Sequence, residues 1–562
     1  MRSRLARPRS IALAAAGGAV LLLGIADGAP TVGSPNTATA DPPIAVPATS
    51  PCVVPLYAGL TFADFSPKLF EYAPPAACPG PWAKVVLAAD FAVTAGRQFD
   101  RTASIWIGGA SVYFGTTAEP SRTVSPSWHV ENDLTDYSGL FAAPQPGMVQ
   151  LDNLVNDTFT GILSGSAELR FYPVGPHDDA PPAADAVLAL SAGPRGGTVG
   201  LSTTASALSR TFSLPTNVER AFLDVYAQSQ AGDEFWYTCV PDDLTGPLQS
   251  CGGTAFREAE IAVDGRPAGV APVYPWIFTG GIDPNLWKPI PGVQTLDFTP
   301  YRVDLTPFAG VLSDGAPHQI AISVSGANNF FATTASLLVF LDHRASRVRG
   351  QVTVDTLDAA PTPTVHPTLT TAADGAITAQ VDVASTRRYR IAGFVDTSHG
   401  RVSTEVSAEI AFANRQRFDI TQALYHQRIT QTTAIVARTS RQDRGDRTEH
   451  VVQQAWPLAV DFAFASNPDG TAAQTTTIDQ RFERSDTELA RGHLASFRIV
   501  SNAVAPTDTL HFNAGGAVTG STGQASTQHY FAADARGGCF SRDLTAAGGI
   551  LTAVVDGAAC GR

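Results

Sequence analysis

Two phrases far apart in the chain repeat one another. "ENDLTDYSGLF" runs from Glu131 to Phe141, and "RVDLTPFAGVL" runs from Arg302 to Leu312. Each places Asp, Leu and Thr in succession, then an aromatic residue, then Gly: Asp133 to Gly139 in one, Asp304 to Gly310 in the other. Their surroundings repeat as well. Before the first lies "KVVLAADFAVTAGRQFDRTASIWIGGASVYFG"; before the second lie "ERAFLDVYAQSQAGDEFWYT", a cysteine-bounded excursion and "FREAEIAVDGRPAGV". Each opens on an alternating stretch with an acid, Asp90 or Asp224, and reaches a turn at Gly108–Gly109 or Asp264–Gly265. After the phrases come "GMVQLDNLVNDTFTGILSGSAELRFYP" and "HQIAISVSGANNFFATTASLLVFLD", each a strand pattern, an Asn-bearing turn and an apolar closing run. A chain with this duplication is expected to fold as two like units of short alternating strands, which points to tandem jelly-roll β-sandwiches. The repeated phrase reads as scaffold: an Asp or Thr oxygen accepts backbone N–H groups and fixes a turn, and the aromatic residue anchors it.

From about Ala345 the texture changes to long alternating strands with polar tips, such as "GAITAQVDVASTRRYRIAGFVDTSHGRVSTEVSAEIAFANRQRFDI". The expected class is all-β, divided as 1–40 signal peptide, 41–205 and 206–345 the two sandwiches, and 346–562 a third all-β domain with one solvated face. The chain length, 562 residues, exceeds one ordinary core and agrees with several domains.

The first residues read as an export signal. Arg2, Arg4, Arg7 and Arg9 precede an apolar stretch, Ile11 to Ile25, short for a spanning helix. "ATA" at Ala38–Ala40 is one cleavage position and the neighbourhood of Gly28 another; an uncleaved anchor is the competing reading. No second run is long enough to span, so a secreted or envelope-associated chain is expected. Six cysteines fit an oxidising compartment and fall into local pairs, Cys52 with Cys78, Cys239 with Cys251 and Cys539 with Cys560. Six cysteines allow fifteen pairings in principle; local pairing is the simplest. No CxxC pair or His spacing supports a metal site. A net charge of −13 leaves no basic face for a phosphate backbone, so nucleic acid is not expected as a partner.

There is no GxSxG elbow, HExxH helix, Walker loop or GxGxxG turn, so an enzyme with this sequence would work with carboxylates. The halves differ most in their acidic loops. The first has "YFGTTAEPSR", with Glu119 and Arg122; the second has "DEFWY" and "FRE", with Asp233, Glu234, Trp236, Arg257 and Glu258. The second also has "FTGGIDPNLWKPIPG", with Asp283 and Trp287. Acids beside aromatic residues suit sugar chemistry: rings pack on apolar C–H faces, and burial raises a carboxyl pKa toward a useful range. The aromatic residues have a structural alternative as alternating strand residues in a core, and each arginine as a surface ion pair.

The strings "TTAEPSR…SWHVENDLTDYSGL…LDNLVNDTFTGILSGSAELRFY", "RAFLDVYAQSQAGDEFWYT", "FREAEIAVDG" and "YPWIFTGGIDPNLWKPIPGVQTLDFTPYRVDLTPF" resemble the peptide-N-glycosidase A family, from about Tyr57 to His343. A weaker likeness continues through "GRVSTEVSAEIAFANRQ". The resemblance implies an amidase without a cofactor, acting on N-glycosylated peptides or denatured glycoproteins at the bond between Asn and the first N-acetylglucosamine. Glu119 and Glu234 are the expected acid and base, with Asp233 and Glu258 in reserve. Arg122 and Arg257 are candidate oxyanion or substrate contacts, Trp236 and Trp287 candidate sugar platforms, and Asp283 a candidate substrate contact. A non-catalytic carbohydrate-binding or adhesion protein, or a carboxylate-pair glycosidase, are the other classes.

Overall fold

The computed structural model describes residues 30–175 and 178–560. Most of the export-signal reading, residues 1–29, lies outside them. The described chain is mostly β, built from five antiparallel sheets.

The duplication is visible as topology. In the first half Trp82–Val93 lies between Leu163–Pro173 and Ser127–Asp133. In the second, Val218–Gln230 lies in the same way between Phe330–Leu341 and Tyr301–Asp304. The companion sheets repeat too: Lys68–Tyr72, Gln145–Leu151, Thr102–Ile107, Ala110–Thr116 in one, and Ala207–Ser213, Pro317–Ser325, Glu258–Val263, Arg266–Pro272 in the other. The repeated phrase occupies the equivalent turn in both. Thr135 N–H donates to Asp133 Oδ1 at 3.1 Å, and Thr306 N–H donates to Asp304 Oδ1 at 2.9 Å. Each bond opens a short 3₁₀ turn whose aromatic residue, Tyr137 or Phe308, is buried.

One expected boundary moves. Ala186–Leu190 and Val199–Leu201 both pair with Phe330–Leu341, so they belong to the second half although they precede residue 206. The reason is backbone pairing, which composition does not reveal. At the other end, Ala38 N–H donates to Pro289 O at 3.0 Å and Ala40 N–H to Gln528 Oε1 at 2.8 Å. Both alanines are buried. A chain cut after Ala40 would lose these bonds; one cut near Gly28 would keep them.

The halves meet along an edge of Ala110–Thr116. Tyr113 Oη donates to Leu296 O at 2.7 Å, Thr116 N–H to Thr295 O at 2.9 Å, and Phe298 N–H to Phe114 O at 2.8 Å. Away from that seam, Tyr137 Oη donates to Asp224 Oδ2 at 2.9 Å, and Arg302 bridges Asp224 and Asp136.

The remainder is one eleven-stranded meander from Arg349 onward, with strands of up to 21 residues. Along Gly400–Ile420 burial alternates strictly through its second half: Ile410, Phe412 and Phe418 face inward while Arg415 and Arg417 face solvent. A single sheet has one apolar face and must bury it on something. Here it covers the second half, and Phe412, Trp456 and Ile478 share one core with Trp236, Phe256 and Trp276. The expected third domain is therefore a single layer wrapped on its neighbour, with the expected solvated outer face. All three local cysteine pairs form disulfides.

Candidate active site

The site starts at the open end of a hairpin. Thr102–Ile107 and Ala110–Thr116 pair, and beyond them Arg101 and Thr117 exchange bonds: Arg101 N–H donates to Thr117 Oγ1 and Thr117 N–H to Arg101 O, both at 2.9 Å. That clamp sets the flanking acids side by side. Asp100 N–H donates to Glu119 Oε1 at 3.1 Å.

The second half closes over this pair with a glycine. Thr279 Oγ1 donates to Thr117 O at 2.6 Å, which docks the Phe278–Gly281 turn on the first half. The Gly280 backbone N–H lies near enough to the Asp100 carboxylate to hold its pKa down. A Cβ at Gly280 would lie 2.4 Å from Glu119 Oε1 and 2.7 Å from Asp100 Oδ1, so a side chain there would displace both carboxyl groups. A Cβ on Gly281 would stand 3.3 Å from the Phe235 ring, and Phe235 follows Glu234 in the chain.

Glu119 and Glu234 both feel the charge of Asp100 here. Burial, then the charge of Asp100, pushes Glu119 up to about 7, with Lys288 acting against the rise. Burial, then again the charge of Asp100, pushes Glu234 up to about 7. Asp100 itself is pushed up to about 6 by burial, opposed by the Gly280 N–H and the Arg101 charge. Acids crowded in low dielectric do not all ionise near neutrality. The set therefore holds a proton acceptor and a proton donor at the same pH, the condition for paired acid–base work.

Glu119 and Glu234, singled out from the sequence, thus share the field of one group. The other candidates are distributed differently. Asp233 and Arg257 form a fully buried ion pair at 2.8 Å. Asp233 Oδ2 also accepts N–H bonds from Asn328, Asn329 and Phe330. This pair ties the turn carrying Glu234 to the Asn328–Phe330 turn and presents no open donor to a substrate. Glu258 is buried beside Glu260, and both face Arg387 of the long sheet at 3.5 Å. Burial raises both acids. Asp283 is buried against Asp508, also in the long sheet; burial first, then that second acid, raises it. Trp236 is wholly buried and packs on Phe412. Trp287 is buried too, and its Nε1–H donates to Gly281 O at 2.9 Å, holding the glycine turn in place. As sugar platforms the two indoles lack an open face. Arg122 is exposed.

Asp100 and Gly280 were not singled out from the sequence. Asp100 sits in "GRQFDRTASIWIGG", where nothing in its spacing separates it from structural acids such as Asp90. Only the clamp across the hairpin and the glycine from the other half mark it.

The family model of peptide N-acetyl-β-D-glucosaminyl asparaginase amidase A matches residues 51–357, more than half of the chain. The chain belongs to this family. Among curated proteins it is 31% identical over 335 residues to peptide-N4-(N-acetyl-β-glucosaminyl)asparagine amidase A of Prunus dulcis. That likeness covers 55% of this chain and 58% of the almond protein, so the chain spans little more than half the length of this relative. Solved structures with some likeness include PNGF-II (TM-score 0.37, 13% identity, 52% of this chain and 66% of that one) and peptide:N-glycanase F (TM-score 0.34, 12% identity, 52% and 96%). The family match contains Asp100, Glu119, Glu234 and Gly280 and ends soon after the long sheet begins.

Proposed function

We propose that this chain is an exported peptide-N-glycanase, hydrolysing the amide between an Asn side chain and the first N-acetylglucosamine of an N-linked glycan. Its substrates on this reading are N-glycosylated peptides or denatured glycoproteins. The observation that carries the reading is the set of three carboxyls, two from one half and one from the other, all raised by burial and the two glutamates also by Asp100, in a member of the amidase A family.

The chemistry follows from the staggered acidities. Asp100 ionises first, so it is the base that takes a proton as water attacks the amide carbon. The C–N bond then breaks, and the departing sugar nitrogen takes a proton from Glu119 or Glu234, whichever still holds one. The peptide leaves with Asp in place of Asn. The glycan leaves as a glycosylamine, which water converts to ammonia and the free sugar. The Gly280 turn keeps Asp100 beside Glu119 throughout.

The finer architecture of the reading is two jelly-roll sandwiches meeting at the seam of Ala110–Thr116, supported by the repeated strand order. Export is supported by the basic and apolar start of the chain and by three disulfides.

The test is to incubate the purified protein with a defined glycopeptide and weigh the peptide product. An amidase yields the sugar-free peptide with Asn changed to Asp. A glycosidase leaves at least one sugar on Asn, and a binding protein leaves the substrate whole; either result removes the reading.

A further inference from the structure

The structure holds a groove of about 530 Å³ whose lining starts one residue along the chain from Glu234. It begins at Phe235 and Ile282, the residues that follow Glu234 and Gly281 in the chain, and runs across the long sheet past Tyr425, Phe462, Phe464 and Gln474. Its far wall is the turn closed by the Cys239–Cys251 disulfide. The residues of the long sheet that line it lie outside the span matched by the family, so membership assigns them nothing.

The walls are held in advance of any ligand. Gln416 Nε2 donates to Cys239 O at 2.8 Å, Gln427 Nε2 to Thr238 O at 3.2 Å, and Asn414 Nδ2 to Tyr237 O at 2.9 Å; together these fix the disulfide-closed turn on the sheet. Gln474 Nε2 donates to Ile282 O at 3.3 Å and fixes the glycine loop. Preorganised walls reduce the ordering cost of binding.

The chemistry of the lining selects its occupant. No residue that lines the groove is charged; aromatic and aliphatic side chains alternate with hydroxyl and amide groups. A peptide of arbitrary sequence carries charges that such a lining cannot pair. The floor strands are also central in their sheet, with backbone groups already bonded to both neighbours, so no edge is open for an added strand. A neutral sugar chain needs neither: it offers apolar C–H faces to rings and hydroxyls to amides.

We propose that this groove is a subsite for a neutral oligosaccharide, taking the glycan sugars beyond the one attached to Asn, with Tyr425, Phe462 and Phe464 as its aromatic floor. The assignment of which sugars it takes rests on the amidase reading; binding of a sugar chain does not. The long sheet then has a role, as the glycan-side wall of the substrate cleft.

The experiment titrates the whole protein calorimetrically with the β-1,4-linked trisaccharide of N-acetylglucosamine. Wild type is compared with Tyr425→Ala and, separately, Phe464→Ala, with melting temperature read alongside as a check on folding. Wild type is expected to bind, and each folded variant to bind about tenfold more weakly. With glycopeptides, the KM for a substrate carrying several sugars is expected to rise by about the same factor, while that for a substrate carrying one sugar stays unchanged. Absence of trisaccharide binding by wild type, binding by both variants as tight as that of wild type, or a KM effect that follows peptide length instead of glycan length overturns the proposal. Trisaccharide binding without any glycopeptide cleavage removes the amidase reading and leaves the subsite standing.

Discussion

The backbone N–H of Asp100 donates to the side chain of Glu119 at 3.1 Å, so one acid's main chain holds the other's carboxyl in place. The bond spans the open end of a hairpin, and Gly280 from the other half lies against both carboxyls. Substitutions at this point and around it separate chemistry from scaffold.

Replacing the carboxyls one at a time tests the roles assigned to them. Asp100→Asn, Glu119→Gln and Glu234→Gln are each expected to lower turnover on a glycopeptide by about a hundredfold or more, since a positioned acid or base contributes on that order. Melting temperatures should not fall. Nearly full activity in the Asp100 variant would remove it as the base.

The pH dependence follows from the same shifts. Activity is expected to fall as pH drops through about 6, where Asp100 takes up its proton, and to fall again above about 7, where Glu119 and Glu234 lose theirs. Stability carries a second signature. The folded pKa values of the two glutamates are raised, so the native state holds protons that the unfolded chain has released. Stability therefore declines as pH rises from the unfolded carboxyl range through about 7. Glu119→Gln and Glu234→Gln should match wild type in acid and become progressively more stable than it up to about pH 7, then level off. Melting curves between pH 4 and 8 read this directly; a constant difference across that range would contradict it.

Gly280 is expected to tolerate no side chain. In Gly280→Ala the new Cβ would meet Glu119 Oε1 at 2.4 Å and Asp100 Oδ1 at 2.7 Å, so both carboxyls must shift. A displacement of that size at reacting groups costs about a hundredfold in kcat. The atoms met are the ends of two side chains and not backbone, so thermal unfolding should change little. Unchanged kcat would show that the glycine serves packing alone.

Asp233 is expected to behave in the opposite way. Its removal in Asp233→Ala strands the Arg257 guanidinium in a fully buried position and frees three backbone N–H groups. Loss of one partner of such a pair costs about 3–5 kcal/mol. Denaturant unfolding should report that loss, with activity following the folded fraction. A stable but inactive variant would instead place Asp233 in the chemistry.

The sequence alone determined the repeat and the β class, and it offered the local disulfide pairing as the simplest of fifteen and two of the three carboxyls as candidates, because each leaves a local trace. Repetition of "DLT" marks equivalent turns, alternation marks a half-buried strand, and an acid in a Pro- and Ser-rich loop such as Glu119 stands out from its neighbours. Only the tertiary structure decided which acids share one electrostatic environment. Asp233 and Glu234 are adjacent in the chain, yet one is locked in an ion pair with Arg257 and the other shares the field of Asp100. Trp236 and Trp287 look equally available in sequence, and both are buried by an eleven-stranded sheet or a glycine turn folded over them. Burial and charge coupling depend on what arrives from elsewhere in the chain. A carboxyl's neighbours along the backbone do not specify its neighbours in space.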